Sequence, residues 1–281
     1  MPLMTEPDEV RFQTIVFLRA VVPVLKPIIQ ETPALTAAFS GLTGVVQISA
    51  LTGEDDSPDA QSVDGRKKRT AVHLIVDNGE ITVTLGAHRA PNVELQFPSR
   101  TALNGFFLGK ITPTGLPAIR GGLSNPKLLV ATVRALLTMS KILGATEPPA
   151  SEQEQALLVR CMFYLLTTGI SQLNKAGHPT VKKWAAHQPD RAYQLTVSGW
   201  EELDAYIRVK NGRTKAARGT YTRSTPFFAM QFDSLRSALG TLLSIDDMVE
   251  ATTQEKIVMS GSPEYGAELG DLMFLVGDYA K

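Results

Sequence analysis

Histidine, cysteine and clustered basic residues are the usual carriers of chemistry, and this sequence offers few of the first two. The histidines are His73, His88, His178 and His187. None has a cysteine or carboxylate at zinc-ligand spacing, and the interval from His178 to His187 matches no metal motif. No metal and no cofactor is expected. Cys161 is the single cysteine; it lies between Arg160 and Met162 in a helical run of apolar residues, where a buried structural thiol is expected rather than a nucleophile. The glycines from Gly115 to Gly122 contain neither Gly-Lys-Ser/Thr nor Gly-x-Gly-x-x-Gly, so they make no phosphate cradle. Basic residues gather at Arg66-Lys-Lys-Arg69 and at Lys210, Arg213, Lys215, Arg218 and Arg223, with few aromatics between them. A solvated loop and strand face is the plain reading, with lipid head groups and nucleic acid as the others. No set of residues recommends catalysis, and the chain is not expected to be an enzyme.

At 281 residues, 43% hydrophobic and 20% charged, the chain has the composition of a globular protein large enough for two cores. Lysine plus arginine and aspartate plus glutamate balance at 28 each, so no overall field draws it to nucleic acid or an anionic membrane. The unpaired cysteine, with acidic Glu6, Asp8 and Glu9 where a signal peptide would be basic, suggests a cytoplasmic protein. Arg19, Pro23, Lys26 and Pro27 interrupt the best N-terminal apolar stretch before it reaches the roughly 18 to 20 residues of a membrane span, so solubility and at most transient membrane contact are expected.

Helical spacing of Val10, Phe12, Ile15, Val16, Leu18 and Val22 predicts a helical preface, which Pro23, Pro27 and Pro33 should cut into short pieces. Val45 to Leu51 reads as a strand and Thr52 to Arg69 as an exposed loop. Ala71 to Val76, the pair Asn78-Gly79, and Ile81 to Leu85 predict a hairpin with a type I′ turn. Val93 to Phe97 is a further strand. Pro98-Ser99 then opens a helix, and a long one runs from Pro126 to Leu143.

The second half repeats this order. Helices from Ser151 to Leu173 and Val181 to Ala186 precede strands Tyr193 to Val197, Leu203 to Val209 and Thr214 to Arg218, again with Asn211-Gly212 in the hairpin. Phe227 to Phe232 is the next strand, and Asp233 or Ser234 caps the helix after it. Gly79 and Gly212 are 133 apart, Phe97 and Phe232 135, and Gly121 and Gly261 140. So slow a drift is what loop insertions would leave between two diverged copies. The expected modules are residues 1–145 and 151–281, each with a helical preface, joined through Thr146 to Ala150.

From Tyr193 to Ala280 the sequence resembles the sterol carrier protein type two domain. The resemblance rests on the Asn211-Gly212 hairpin, Phe227-Phe-Ala-Met-Gln-Phe232, Asp233-Ser-Leu-Arg-Ser-Ala-Leu-Gly-Thr-Leu-Leu243, Lys256-Ile-Val-Met-Ser-Gly261 and the helix after Ser262-Pro263. The first half is similar through Val93 to Leu143, with Leu103-Asn-Gly-Phe-Phe-Leu-Gly-Lys110 in the place of the leucine-rich helix. In Leu116-Pro-Ala-Ile-Arg-Gly121 the proline means that any strand lies at a sheet edge or is irregular.

The resemblance implies an α+β fold of two tandem modules, each a mainly antiparallel five-stranded sheet covered by helices. It also implies an apolar tunnel between sheet and helices for a fatty acid, acyl-CoA, sterol or other lipid. Its wall would draw on Leu103, Phe106, Phe107, Leu129, Val133 and Leu136 in the first module. In the second it would draw on Phe232, Leu235, Leu239, Leu242, Leu243, Leu269, Leu272 and Leu275. The same residues at the same spacing make an ordinary core. Two occupants of that layer therefore stay open, a lipid or the bulky side chains themselves, the second giving an interaction scaffold or dimerising accessory protein. An oligomer is compatible with either.

Overall fold

The computed structural model describes residues 6–53, 57–62, 65, 67–188 and 190–281. They form two compact units, residues 1–140 with 279–281, and residues 141–278.

In the first unit, α1 (Glu6–Val16) runs through a π turn at Phe17–Val21 and a 3-10 turn at Val22–Val24 into α2 (Leu25–Glu31), followed by α3 (Pro33–Phe39). Pro23 and Pro27 therefore do not cut this stretch as the sequence suggested. The wide turn lets the N–H of Val22 bond back to the carbonyl of Phe17, and Pro23 falls early in the next turn, where its missing N–H is not needed. The stretch Pro7–Glu31 and the later helix Glu152–Ala176 are each 25 residues long and each contains a segment apolar enough to cross a membrane. Their most apolar windows are 78% and 83% buried within the protein, as core helices are.

The strands β1 (Gly44–Leu51), β2 (Arg69–Asp77), β3 (Glu80–Leu85), β4 (Val93–Phe97) and β5 (Ala118–Arg120) form one sheet in the order β3-β2-β1-β4-β5. All neighbours are antiparallel except β1 and β4, which run parallel. Period-two alternation assigns the faces. Val46, Ile48, Ala50, Val93, Leu95 and Phe97 share one buried face, while Gln47, Ser49, Glu94 and Gln96 share the other. Helices α4 (Arg100–Phe107) and α5 (Pro126–Leu143) complete the unit. Strand β5 is three residues long and lies at the edge, where Pro117 just before it blocks no ladder bond.

The second unit begins with α6 (Glu152–Ala176) and α7 (Pro179–His187). Its sheet holds β6 (Arg191–Val197), β7 (Ala205–Lys210), β8 (Arg213–Arg218), β9 (Phe228–Phe232) and β10 (Ile257–Ser260). Helices α8 (Leu235–Leu242), α9 (Met248–Thr253) and α10 (Pro263–Ala280) complete it. The strand order is β8-β7-β6-β9-β10, with only β6 and β9 parallel. Both sheets are thus mixed and share one topology. Both β hairpins turn through Asn and Gly with positive φ, 50° and 90° at Asn78-Gly79 and 49° and 70° at Asn211-Gly212. A type I′ turn requires such angles, and its twist suits the strands it joins.

Local contacts also coincide. The N–H of Asn92 bonds to the carbonyl of Val45 at 2.8 Å, and that of Phe227 to the carbonyl of Ala192 at 2.9 Å. Ser99 and Ser234 cap α4 and α8 through the N–H three residues on. A Cβ on Gly121 would strike the carbonyl of Asn92, and one on Gly261 would come within 2.8 Å of that of Phe227. The chain leaves its edge strand through one close approach in both units.

The described residues of the loop from Thr52 to Arg69 are mostly exposed or half-buried, as expected, and Asp59 and Arg69 are buried. Asp59 keeps only 6% of its surface in solvent and pairs with Arg100 at 2.7 Å, while Gln61 and Arg69 exchange two backbone bonds. An anchored aspartate and a β-bridge tie Asp59 and Gln61 to the unit.

Candidate functional site

Two surfaces of the first sheet offer sites of opposite kind. The apolar layers of the two units, each described by itself, contain most of the residues that sequence reasoning placed in a tunnel wall. Leu103, Leu136, Phe232, Leu235, Leu239, Leu269 and Leu272 are buried, and Phe106, Phe107, Leu129, Leu242, Leu243 and Leu275 are half-buried. Val133 is 39% exposed, because the buried stripe of α5 runs through Leu128, Ala131, Thr132, Ala135, Leu136 and Met139 and leaves Val133 beside it. Rings meet inside this layer. Phe106 packs on Phe97 at 5.1 Å, Phe107 stacks on Phe17 at 5.0 Å, and in the second unit Phe163 meets Phe232 at 6.0 Å.

At the β5 edge of the first unit the layer opens. Ile119 lies directly beside Leu95 on the helix-facing side, yet it is 55% exposed while Leu95 is buried. Leu129 lies next to Ile119 across Gly122. In the second unit Met259 takes the position of Ile119, beside Met230; it is half-buried, close to Gly266.

The other face of the first sheet is polar, and composition alone did not reveal it. Glu94 is buried, and its Oε1 accepts from Gln47 Nε2 at 2.8 Å, Ser49 Oγ at 2.6 Å and Arg69 Nη1 at 2.9 Å. Burial works against ionisation of Glu94, but the hydrogen bonds from Ser49 and Gln47 and the charge of Arg69 outweigh it and hold the carboxyl below its usual range. The Oε1 of Gln47 accepts the N–H of His88 at 2.6 Å, which ties the segment after β3 over the sheet. His73 and His88, far apart in sequence, bring their rings to 5.2 Å, and Nδ1 of His73 donates to the carbonyl of Gly86 at 2.9 Å. His178 is buried at the start of α7, and Nδ1 of His187 donates to the carbonyl of Lys183 at 2.7 Å. Among the described residues no three histidines, cysteines or carboxylates gather as a metal site would require. Cys161 is buried in α6.

Beside Glu94 the sheet forms the floor of a cleft of about 810 Å³, lined by Leu51, Gly65, Lys67, Arg69, Ala90, Pro91, Glu94, Gln96 and Arg120. Of the basic run expected to be solvated, Arg66 lies outside the described residues, and Arg69 is only 5% exposed because Glu94 draws it onto the sheet. The second run keeps to its surface. Arg208, Lys210, Arg213 and Lys215 line a shallow groove on β7 and β8, with Arg208 paired to Asp190 at 3.2 Å.

Comparison with known proteins gives structural likeness only. A crystal structure of sterol carrier protein 2 aligns with 44% of this chain and 97% of its own, at 13% identity and a TM-score of 0.33. A solution structure of a conserved hypothetical protein from Thermus thermophilus, described as possibly a sterol carrier protein, aligns with 50% of this chain and 87% of its own. Its identity is 16% and its TM-score 0.29. A stereoselective inverting sec-alkylsulfatase from a Pseudomonas species aligns over 54% of this chain but only 28% of its own, at 12% identity and a TM-score of 0.26. No family model and no curated protein matches the sequence.

Sequence reasoning missed Gln47, Ser49, Glu94, Gln96 and Arg120. The signal was there in period two. Val46-Gln-Ile-Ser-Ala50 and Val93-Glu-Leu-Gln-Phe97 each put polar groups on one face of a strand, and a parallel register sets Gln47 beside Glu94 and Ser49 beside Gln96. That register is a tertiary fact that no local pattern supplies.

Proposed function

We propose that the chain binds an apolar ligand such as a fatty acid, acyl-CoA or sterol without turning it over, as a carrier or sequestering protein. We also propose that its two halves are diverged copies of one module. The copy reading is supported by the shared strand order, the paired Asn-Gly turns and the coincident hydrogen bonds. The ligand reading is carried by Ile119, a large apolar side chain on the helix-facing side of the sheet that the fold leaves uncovered. Apolar surface at the mouth of an apolar layer gains about 25 cal/mol per Å² on covering, and a lipid chain is suited to cover it. The first unit is therefore the ligand-bearing one. A second reading, an interaction scaffold with no ligand, is favoured by the Phe97–Phe106 and Phe17–Phe107 pairs, which occupy volume a chain would need.

Uptake of a fluorescent fatty acid separates the two. Ile119→Arg places a charge at an exposed edge, so it should abolish uptake while leaving the melting temperature near its original value. Leu239→Trp overpacks the second unit, should cost roughly 1–3 kcal/mol and should leave uptake unchanged. Saturable uptake lost in Ile119→Arg supports the carrier. No uptake by the unaltered protein, with no lipid in a solvent extract of protein purified from its own host, leaves the scaffold.

A further inference from the structure

The cleft on the outer face of the first sheet is separated from the apolar layer by the sheet itself, and the charges of its described lining residues do not cancel. Among the described lining residues, Lys67, Arg69 and Arg120 stand against one carboxylate, Glu94, which Arg69 already neutralises. Arg120 Nε donates to Gln96 Oε1 at 3.1 Å, which fixes the guanidinium at the rim. Among the described residues nothing bonds to the terminal nitrogens of Arg120 or to the ammonium of Lys67. Oε1 of Glu94 takes all three donors, and no described residue donates to Oε2. The floor thus offers two unspent cations and one unspent anionic acceptor, with Leu51, Ala90 and Pro91 as apolar wall.

The second sheet supplies an internal control. Its residues in register with Glu94 and Arg120 are Ala229 and Ser260, so an equivalent face folds with neither charge. Burying Glu94 and Arg69 costs solvation that the fold does not require.

The geometry points to a binding site for a small hydroxylated organic anion. Its phosphoryl or carboxylate group sits between Arg120 and Lys67, and a neighbouring hydroxyl donates to Oε2 of Glu94. The planar guanidinium suits the oxygens of such an anion, and the volume falls within the range of small-molecule pockets. This site does not depend on lipid carriage.

Calorimetric titration of the full chain with glycerol 3-phosphate, inorganic phosphate and glycerol tests it. Glycerol 3-phosphate should bind once, inorganic phosphate more weakly and glycerol not at all. Arg120→Ala, at an exposed edge, should stay folded and weaken glycerol 3-phosphate about tenfold or more, since a charge-assisted hydrogen bond is worth that factor. Glu94→Gln should reduce the advantage of glycerol 3-phosphate over phosphate. Arg213→Ala, in the groove of the second unit, should change nothing. Monomeric 1-oleoyl lysophosphatidate distinguishes the sources of the anion. Affinity equal to that of glycerol 3-phosphate identifies a soluble metabolite, and affinity higher by about tenfold or more identifies a lipid head group. No saturable binding of glycerol 3-phosphate below about 10 mM, or equal loss in Arg120→Ala and Arg213→Ala, overturns the site.

Discussion

On the first sheet Gln47 accepts the N–H of His88, and on the second Gln194 accepts that of Tyr221 at 2.9 Å. Beneath these bonds the rings of His73 and His88 meet at 5.2 Å, and those of Tyr206 and Tyr221 at 5.1 Å. The N–H of Gly86 bonds to Ala71, and that of Gly219 to Asp204. One device therefore holds the segment after the hairpin against both sheets. The other end of the glutamine differs. Nε2 of Gln47 donates to Glu94, which Arg69 neutralises, whereas Nε2 of Gln194 donates at 3.0 Å to Asp204. Among the described residues Asp204 has no cation among its hydrogen-bonded partners, and Glu202 stands two residues before it, where Arg69 stands two before Ala71. The backbone tie is common to both units, and the charge around it is what separates them.

The largest effect should come from breaking the charge pair. Glu94→Leu leaves Arg69 buried without its counter-charge and removes the acceptor of Gln47 and Ser49, which should cost about 3–5 kcal/mol. Urea unfolding of Glu94→Leu beside Ala229→Leu, its counterpart on the second sheet, measures the difference. A cost under about 1 kcal/mol for Glu94→Leu would mean that solvent in the cleft already screens Arg69.

A smaller effect tests the common device. Gln47→Ala and Gln194→Ala each strand the N–H that the amide accepted and should each cost roughly 1–3 kcal/mol by denaturant titration. Similar values would confirm one structural role for both glutamines. The caps come next, and Ser99→Ala and Ser234→Ala should each cost about 1 kcal/mol, since both hydroxyls accept the N–H three residues on.

The frame of this comparison was legible in the sequence and its content was not. Asn78-Gly79 and Asn211-Gly212 announce their hairpins because few other residue pairs adopt successive positive φ angles cheaply. Ser99 and Ser234 announce helix starts by their capping oxygens. Pro117 left an edge or an irregular strand open, and β5 lies at the edge. The π turn that carries α1 past Pro23 was hidden because it depends on a backbone bond five residues long rather than on residue type. Glu94 was hidden because its partners come from β1 and β2, which only the fold sets beside it. Arg69 was read as part of a solvated run because local charge density says nothing of a buried carboxylate opposite.

The smallest effect, and the sharpest test of the contrast, is the dependence on pH. Asp204 is raised above its ordinary range, first by burial and then by the charges of Glu201 and Glu202, against the bonds from Thr220 and Gln194. Its Oδ1 is buried with no partner among the described residues. Glu94 and Asp59 are lowered, since in both the penalty of burial is outweighed, at Glu94 by Ser49, Gln47 and Arg69 and at Asp59 chiefly by Arg100. A lowered carboxyl contributes stability above its unfolded pKa and loses it as pH falls through the folded value. A raised one contributes stability below its unfolded pKa and loses it as pH climbs through the folded value. Acidification through the carboxylate range should therefore weaken the first unit, while in the second it relieves Asp204 and weakens the exposed pair of Asp190, which the hydrogen bond from Arg208 lowers. Hydrogen exchange across that range should show the strands around Glu94 losing protection and those around Asp204 gaining it. Asp204→Asn keeps an acceptor for Thr220 and removes the charge, so it should flatten the trend around Asp204 and leave that around Glu94 untouched. Parallel loss of protection in both sets of strands would mean that the missing cation beside Asp204 has no energetic consequence.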